Sequence, residues 1–183
     1  SASYKNHSFL FNTFGEHESY LGVDPNFSSG IGKDHWNKGV LAAYKFAHNF
    51  NEKFDVIYDL TYDWNQRDLS RAADDNTRAN IEGYRVYNSV KLNYYFINDF
   101  NIEAGADYDI RKAIAYENYN VLKDSVLTDN NMANRAVKEY SLFAQANFAV
   151  GNFNLLAGTR YSNNQLFGNN LSSRATAVYS FDD

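Results

Sequence analysis

From residue 38 onward, apolar and polar side chains alternate with a period of two. Phe54, Val56, Tyr58, Leu60, Tyr62 and Trp64 share one parity, and Asp55, Asp59, Thr61 and Asp63 the other. A helix would scatter those aspartates around its axis, whereas a strand sends successive side chains to opposite faces. The same division recurs over residues 40–47, 84–96, 100–111, 139–148, 153–161 and 174–181. A less regular strand is expected around residues 5–14. The pattern predicts an all-β chain of about eight antiparallel strands.

The connections alternate in length. Residues 49–53, 98–99 and 151–152 read as tight turns, and residues 15–36, 66–82, 117–136 and 163–171 as longer polar links. Short turns at one end and long loops at the other are the arrangement of an outer-membrane barrel, with periplasmic and extracellular ends. Trp36, Phe50, Trp64, Phe96, Phe100 and Tyr161 fall near strand ends, where an interfacial girdle would lie. A soluble sheet with one wet face would alternate in the same way, its aromatic face packed on a second sheet. Here each strand is apolar on one side and polar on the other, and none is left to act as a cover. Lipid is therefore the expected partner of the apolar face. No linker divides the chain, so residues 1–183 are read as one unit.

Composition sharpens this reading. Aromatic residues make up 17% of the chain, with 15 Tyr and 14 Phe, yet the mean hydropathy is -0.56 and there is a single proline. No run approaches the length of a membrane-spanning helix. A barrel wall reconciles these figures, because only every second residue must be apolar. The net charge of -5, with no basic block, argues against a nucleic-acid partner. Cysteine is absent, which removes disulfides, thiol nucleophiles and thiolate metal sites from consideration. The start, Ser1-Ala2-Ser3-Tyr4-Lys5, lacks a basic-then-apolar leader pattern.

Residues 139–179 carry a more specific signal. Glu139-Tyr140-Ser141-Leu142-Phe143-Ala144-Gln145 is followed by Phe153-Asn154-Leu155-Leu156-Ala157-Gly158-Thr159-Arg160-Tyr161. Then come Asn164-Gln165-Leu166-Phe167-Gly168 and Leu171-Ser172-Ser173-Arg174-Ala175-Thr176-Ala177-Val178-Tyr179. This order resembles TonB-dependent receptors, and within them the branch handling catecholate siderophores, colicin-binding iron receptors and cobalamin. Ser173 stands where the family commonly has proline. The resemblance implies a 22-stranded transmembrane barrel around an N-terminal plug, with a TonB box coupling uptake to inner-membrane energy. The chain then corresponds to about eight strands of that larger antiparallel barrel, lacking the plug and the C-terminal strands. The implied partners are outer-membrane lipid and lipopolysaccharide, the plug of the same receptor, a TonB-type protein reached through the missing N-terminal part, and an iron chelate or similar small ligand.

Chemistry beyond transport is sparse. His7, His17, His35 and His48 are scattered and form no H-E-x-x-H pattern. No catalytic set, metal site or cofactor is implied, and a membrane hydrolase would need a Ser/His/acid set that cannot be assembled. Asp55, Asp59 and Asp63 share one face at intervals of two steps of about 6.6 Å each, too far to converge on one cation. They are expected to line a polar lumen beside neighbouring bases, with Lys45 opposite Asp59 and Lys91 opposite Asp107. Gly158 is expected to leave room for a plug, and Arg160 and Arg174 to point inward. In the long links, Tyr20, Phe27, His35, Trp36, Tyr119 and Arg135 could hold an iron chelate by stacking and charge. The leading expectation is active uptake of an iron-siderophore, haem or cobalamin across the bacterial outer membrane. The alternative is a self-contained eight-stranded barrel with a structural or adhesive role, whose first and last strands would pair.

Overall fold

The computed structural model describes residues 1–19, 34–70, 77–97, 99–120, 125–128 and 134–181. The regular elements among them are all strands: β1 (Ala2–Tyr4), β2 (His7–Ser19), β3 (Asp34–Asn51), β4 (Phe54–Ser70), β5 (Thr77–Ile97), β6 (Phe100–Asn120), β7 (Ser125–Thr128), β8 (Ala136–Val150), β9 (Phe153–Asn164) and β10 (Gly168–Tyr179). They form one antiparallel meander in the order β1-β2-β3-β4-β5-β6-β8-β9-β10, with β7 attached to β6. Among the described residues β1 and β10 do not pair with each other, so the sheet is an open arc of barrel wall. That is not the geometry of a closed eight-stranded ring.

Eight long strands match the eight read from alternation. The two short ones, β1 and β7, hold 3 and 4 residues, too few for a period to register. Several strands run deep into the expected loops, and β5 and β6 reach 21 residues each. One expected long link is a tight turn instead. Residues 165–167 alone join β9 to β10, because Asn164 Oδ1 accepts the Leu166 and Phe167 amides at 2.9 and 3.3 Å. Gly168 then takes the positive φ of 78° that closes the hairpin. The asparagines that suggested a loop face one another across it, Asn163 opposite Asn169.

The curvature of the arc is legible from burial. A single sheet has no covering layer, so side chains become crowded only on a concave face. The residues that are buried (Gly39, Ser89, Asn93, Asp107, Asp109 and Ser141) all have the parity of the polar face. Ser89 and Ser141 are only 2% exposed, whereas Leu92 and Leu142 on the other parity are exposed. Charge and hydroxyls thus line the inside of the arc, and the aromatic and aliphatic side chains its outside.

Aromatic rings mark both edges of the outer face. At the tight-turn end Phe50 contacts Phe54 at 5.4 Å, Tyr94 contacts Phe96 at 4.7 Å, and Phe96 contacts Phe100 at 4.9 Å. The row continues through Phe148, Phe153 and Tyr179. Toward the other end Tyr62, Trp64, Tyr108, Tyr140 and Tyr161 form a second belt by position and parity. About eight residues separate the belts on most strands, as from Phe100 to Tyr108, roughly 20 Å along the normal for strands tilted ~40°. That is close to the ~25 Å of an outer-membrane apolar band.

The tight turns are tied to the next strand. The carbonyls of Asn6, Lys53, Asp99 and Asn152 accept the amides of Ala47, Tyr95, Ala149 and Ser180 at 2.9, 2.8, 2.8 and 2.9 Å. Two glycines on the concave face each lie beneath a phenyl ring of the neighbouring strand. Phe14 covers Gly39, and Phe143 covers Gly105, each pair directly opposite in register. At Gly39 the three atoms nearest an added Cβ all belong to the Phe14 ring, which can rotate away. At Gly105 it would also meet the Val90 carbonyl oxygen at 2.5 Å, which cannot.

Two outcomes follow for the barrel in a bilayer. Leu92→Arg, near mid-height on the outer face, is expected to cost about 2–4 kcal/mol in reversible unfolding from vesicles, and Thr61→Lys on the concave face under ~1 kcal/mol. Gly105→Ala is expected to destabilise by roughly 1–3 kcal/mol and Gly39→Ala by less. Equal costs for the two glycine variants in the same assay would contradict the backbone clash.

Candidate functional site: the concave wall

The concave face is densely hydrogen-bonded between β5 and β9, while Asp55 Oδ1 on β4 and Ser89 Oγ on β5 are buried without a partner among the described residues. Its densest part centres on two carboxylates of β6. Arg85 on β5 stands directly opposite Arg111 on β6, a like-charge pairing that by itself repels. Asp109 resolves it. Arg85 donates to both Asp109 oxygens, Nε to Oδ1 and Nη2 to Oδ2, each at 2.9 Å. Arg111 donates to Oδ2 from Nε at 3.0 Å and from Nη2 at 2.6 Å. The Asp109 side chain is 8% exposed, while those of Arg85 and Arg111 are 47% and 59% exposed. One buried carboxylate therefore holds two guanidiniums whose remaining donors face the lumen.

Asp107, one step nearer the tight-turn end, is the hub of the second cluster. Tyr87 donates its hydroxyl to Oδ1 at 3.0 Å, and Arg160 Nη1 lies 2.8 Å from Oδ2. Arg160 also donates Nη2 to the Ser141 hydroxyl at 2.9 Å, and the Ser141 and Ser162 hydroxyls are 2.8 Å apart. Its guanidinium sits over the Phe143 ring at 5.8 Å. Arg160 on β9 thus reaches across β8 to β6 and ties three strands together.

Below these clusters is a cleft of about 430 Å³, lined by Lys91, Asp107, Phe143, Gly158, Arg160 and Arg174 among others. Five wall residues singled out from the sequence therefore meet at one place. The sixth, Asp59, lies apart, directly opposite Lys45 on β3 and Ser89 on β5. Two details differ from expectation. Lys91 faces Gly105, and Asp107 faces Ser89, because a register shift between Tyr95 and Ile97 displaces the β5–β6 pairing. Lys91 and Asp107 are diagonal neighbours, and the cation bound to Asp107 is Arg160. Gly158 is also tighter than expected. A Cβ there would come within 2.8 Å of Gln145 Cβ and 3.1 Å of the Ala144 oxygen, so the missing side chain already accommodates the wall itself. Arg174, opposite Gly158, donates to Gln145 Oε1 at 2.7 Å.

The loop residues singled out from the sequence are more dispersed. Tyr20 and Phe27 lie outside the described residues. Tyr119 belongs to β6, backbone-paired with Arg78 and Val126. Arg135 is exposed, and its carbonyl accepts the Ala113 amide at 3.0 Å. His35 and Trp36 cannot act on one ligand, since neighbours in a strand face opposite sides. His35 has the concave parity, with Arg67 Nη2 3.2 Å from its Nδ1. Trp36 has the outer parity and stacks on His17 with ring centroids 4.0 Å apart. The Arg85–Asp109–Arg111 and Tyr87–Asp107 bonds were not anticipated. Their residues share the polar parity in the sequence, but the partners depend on bulges that alternation does not reveal.

Asp109→Asn is expected to lower unfolding free energy by about 1–2 kcal/mol, discounted because both arginines are half exposed. Asp109→Asn combined with Arg85→Gln is expected to recover part of the loss, since the like-charge pair is gone. A double variant no more stable than additivity in urea unfolding would argue against the bridging role.

A sequence profile of the family described as "TonB dependent receptor-like, beta-barrel" matches residues 2–183. No curated protein matches the chain in sequence. Among solved structures, the ferric citrate transporter FecA in its unliganded form is similar at 12% identity, covering 98% of this chain and 32% of that one, with a TM-score of 0.49. The chain thus spans about a third of that transporter's length, 32%. With the profile match running over nearly every residue of an antiparallel arc that is polar inside and aromatic outside, this chain belongs to the TonB-dependent receptor β-barrel family.

Proposed function

We propose that this chain is part of the wall of an outer-membrane receptor that takes up a scarce nutrient, such as an iron-siderophore, with energy supplied through a TonB-type protein. In this reading residues 1–183 form part of the barrel domain, and the plug and further strands belong to the rest of the receptor. The observation that carries it is the division of one uncovered sheet into a charged, hydrogen-bonded concave face and an aromatic convex face two belts tall. Such a wall separates water from hydrocarbon.

Arg85 and Arg111 share the Asp109 carboxylate and keep half-exposed guanidiniums aimed at the lumen, which offer donors to an anionic group on the cargo beside Asp63 and Glu139, the residues opposite Arg85 and Asp109. A chelate bearing carboxylates or catecholates would find donors already oriented by Asp109. The cleft at Lys91, Arg160 and Arg174 would face the plug or the passing ligand. Against the self-contained barrel stands the lack of pairing between the sheet's two edges among the described residues.

Cells expressing the intact receptor are expected to accumulate a radiolabelled ferric chelate, and to stop when the proton-motive force is dissipated. Arg85→Gln with Arg111→Gln is expected to weaken equilibrium binding of an anionic chelate by roughly tenfold or more, with little effect on a neutral one. Energy-independent uptake would overturn the transport reading, and unchanged affinity in the double variant would remove these arginines from the site.

A further inference from the structure

Strict alternation fails near the top of β6, where a bulge turns one aromatic side chain inward. Arg85 faces Arg111 and Gly83 faces Ala113, so a regular ladder would put Ala115 on the concave side next. Instead Glu82 pairs with Ala115 and Ile81 with Tyr116, because Ile114 is an extra residue on β6. Directly opposed residues share a face, and Ile81 has the concave parity of Gly83 and Arg85. Tyr116 therefore points into the lumen, where unbroken alternation would have sent it out. It lies eight residues beyond Tyr108, roughly 15–20 Å above the upper belt.

The bulge is held from both sides. A Cβ at Gly83 would stand 2.9 Å from the Lys112 carbonyl oxygen, so the two main chains approach too closely there for a side chain. On the other edge of β6 the Ala113 amide donates to the Arg135 carbonyl at 3.0 Å. A bulge fixed in this way re-aims a particular residue.

The result is a hollow in the wall. Asn65, Gly83 and Ala113 form its floor, in one row across β4, β5 and β6. The row above carries Arg67, Ile81 and Tyr116, and the row below Asp63, Arg85 and Arg111. Those rows are four residues apart on β5, about 13 Å. Asp109, further down, already orients the two lower arginines. Tyr116 is 42% exposed, and among the described residues its ring and hydroxyl have no partner. An open ring between guanidinium rows complements a flat conjugated group that carries an anionic oxygen. An aliphatic carboxylate can use the arginines but offers the ring no surface.

We infer that the bulge makes Tyr116 the residue that selects among anionic cargoes, favouring a flat aromatic group over aliphatic carboxylates. The aromatic group stacks on Tyr116 while its oxygens meet Arg67 from above and Arg85 and Arg111 from below. The assignment rests on the uptake reading above and narrows its substrate class.

The test is equilibrium binding to the intact receptor with two probes, a ferric tricatecholate and ferric citrate. Tyr116→Ala is expected to weaken catecholate binding roughly tenfold and to leave citrate binding as it was, and Tyr116→Phe to restore most of the loss. Moving the ring one residue along, as Tyr116→Ala with Ala115→Tyr, is expected not to restore it, because position 115 faces outward. Recovery in that exchange variant would overturn the inward placement of Tyr116. An equal loss of both probes in Tyr116→Ala, or no loss of either, would overturn the selecting role. Tighter binding of citrate than of the catecholate by the unaltered receptor would do so without any variant. Uptake separates the two readings: selective binding without energy-dependent uptake counts against transport alone, and energy-dependent uptake indifferent to Tyr116→Ala counts against this inference alone.

Discussion

A backbone amide or carbonyl that loses its partner in hydrocarbon has no water to turn to, and each such loss costs several kcal/mol. Everything in this sheet follows from meeting that demand strand by strand. Antiparallel neighbours satisfy the main chain on both edges along most of β3 to β6, β8 and β9, while among the described residues β10 and most of β2 are paired on one edge only. Once the backbone is satisfied, the side chains are free to serve two solvents. The pleat assigns them by parity, and curvature decides which parity is crowded. Small and polar residues occupy the inside because it converges, as at Ser89 and Ser141. Most rings occupy the outside, where there is room, and Phe14 and Phe143 fit inside over glycines that lack a side chain.

Crowding on the inside also explains why charge there is so thoroughly networked. Like charges meet across strands, as at Arg85 and Arg111, and a third group must mediate. The Asp107 cluster does the same over a greater span, with Arg160 bonding to groups on β6 and β8. These contacts stiffen the wall laterally while leaving guanidinium surface toward the lumen. In the proposed receptor, the side chains that stabilise the wall are the same ones offered to cargo.

Much of this was legible in the sequence, and the reason is the strict period of two. The parity of Asp59, Lys91, Asp107, Arg160 and Arg174 followed from their neighbours, as did the tight turns at Gly151 and after Asn51. Partners were less accessible, because parity does not fix register. Lys91 faces Gly105 and not Asp107 because the extra residue of the bulge, Phe96, falls on β5. Turn chemistry was misread at Asn163 and Asn164, whose polarity suggested a loop although one of them caps a hairpin. The Phe14–Gly39 and Phe143–Gly105 pairs link residues far apart in sequence, and each partner is unremarkable by itself.

The bonds from Asn6, Lys53, Asp99 and Asn152 to the following strands recur with nearly the same length at each tight turn. They give the β1–β2, β3–β4, β5–β6 and β8–β9 hairpins a fixed docking point on the next stretch of chain. A contact at the base thus fixes the alignment of the pairs above it as far as the next bulge, which on β5 comes at Glu82–Gly83. Errors of alignment, which would turn a whole strand inside out, are suppressed where the chain is shortest and cheapest to order.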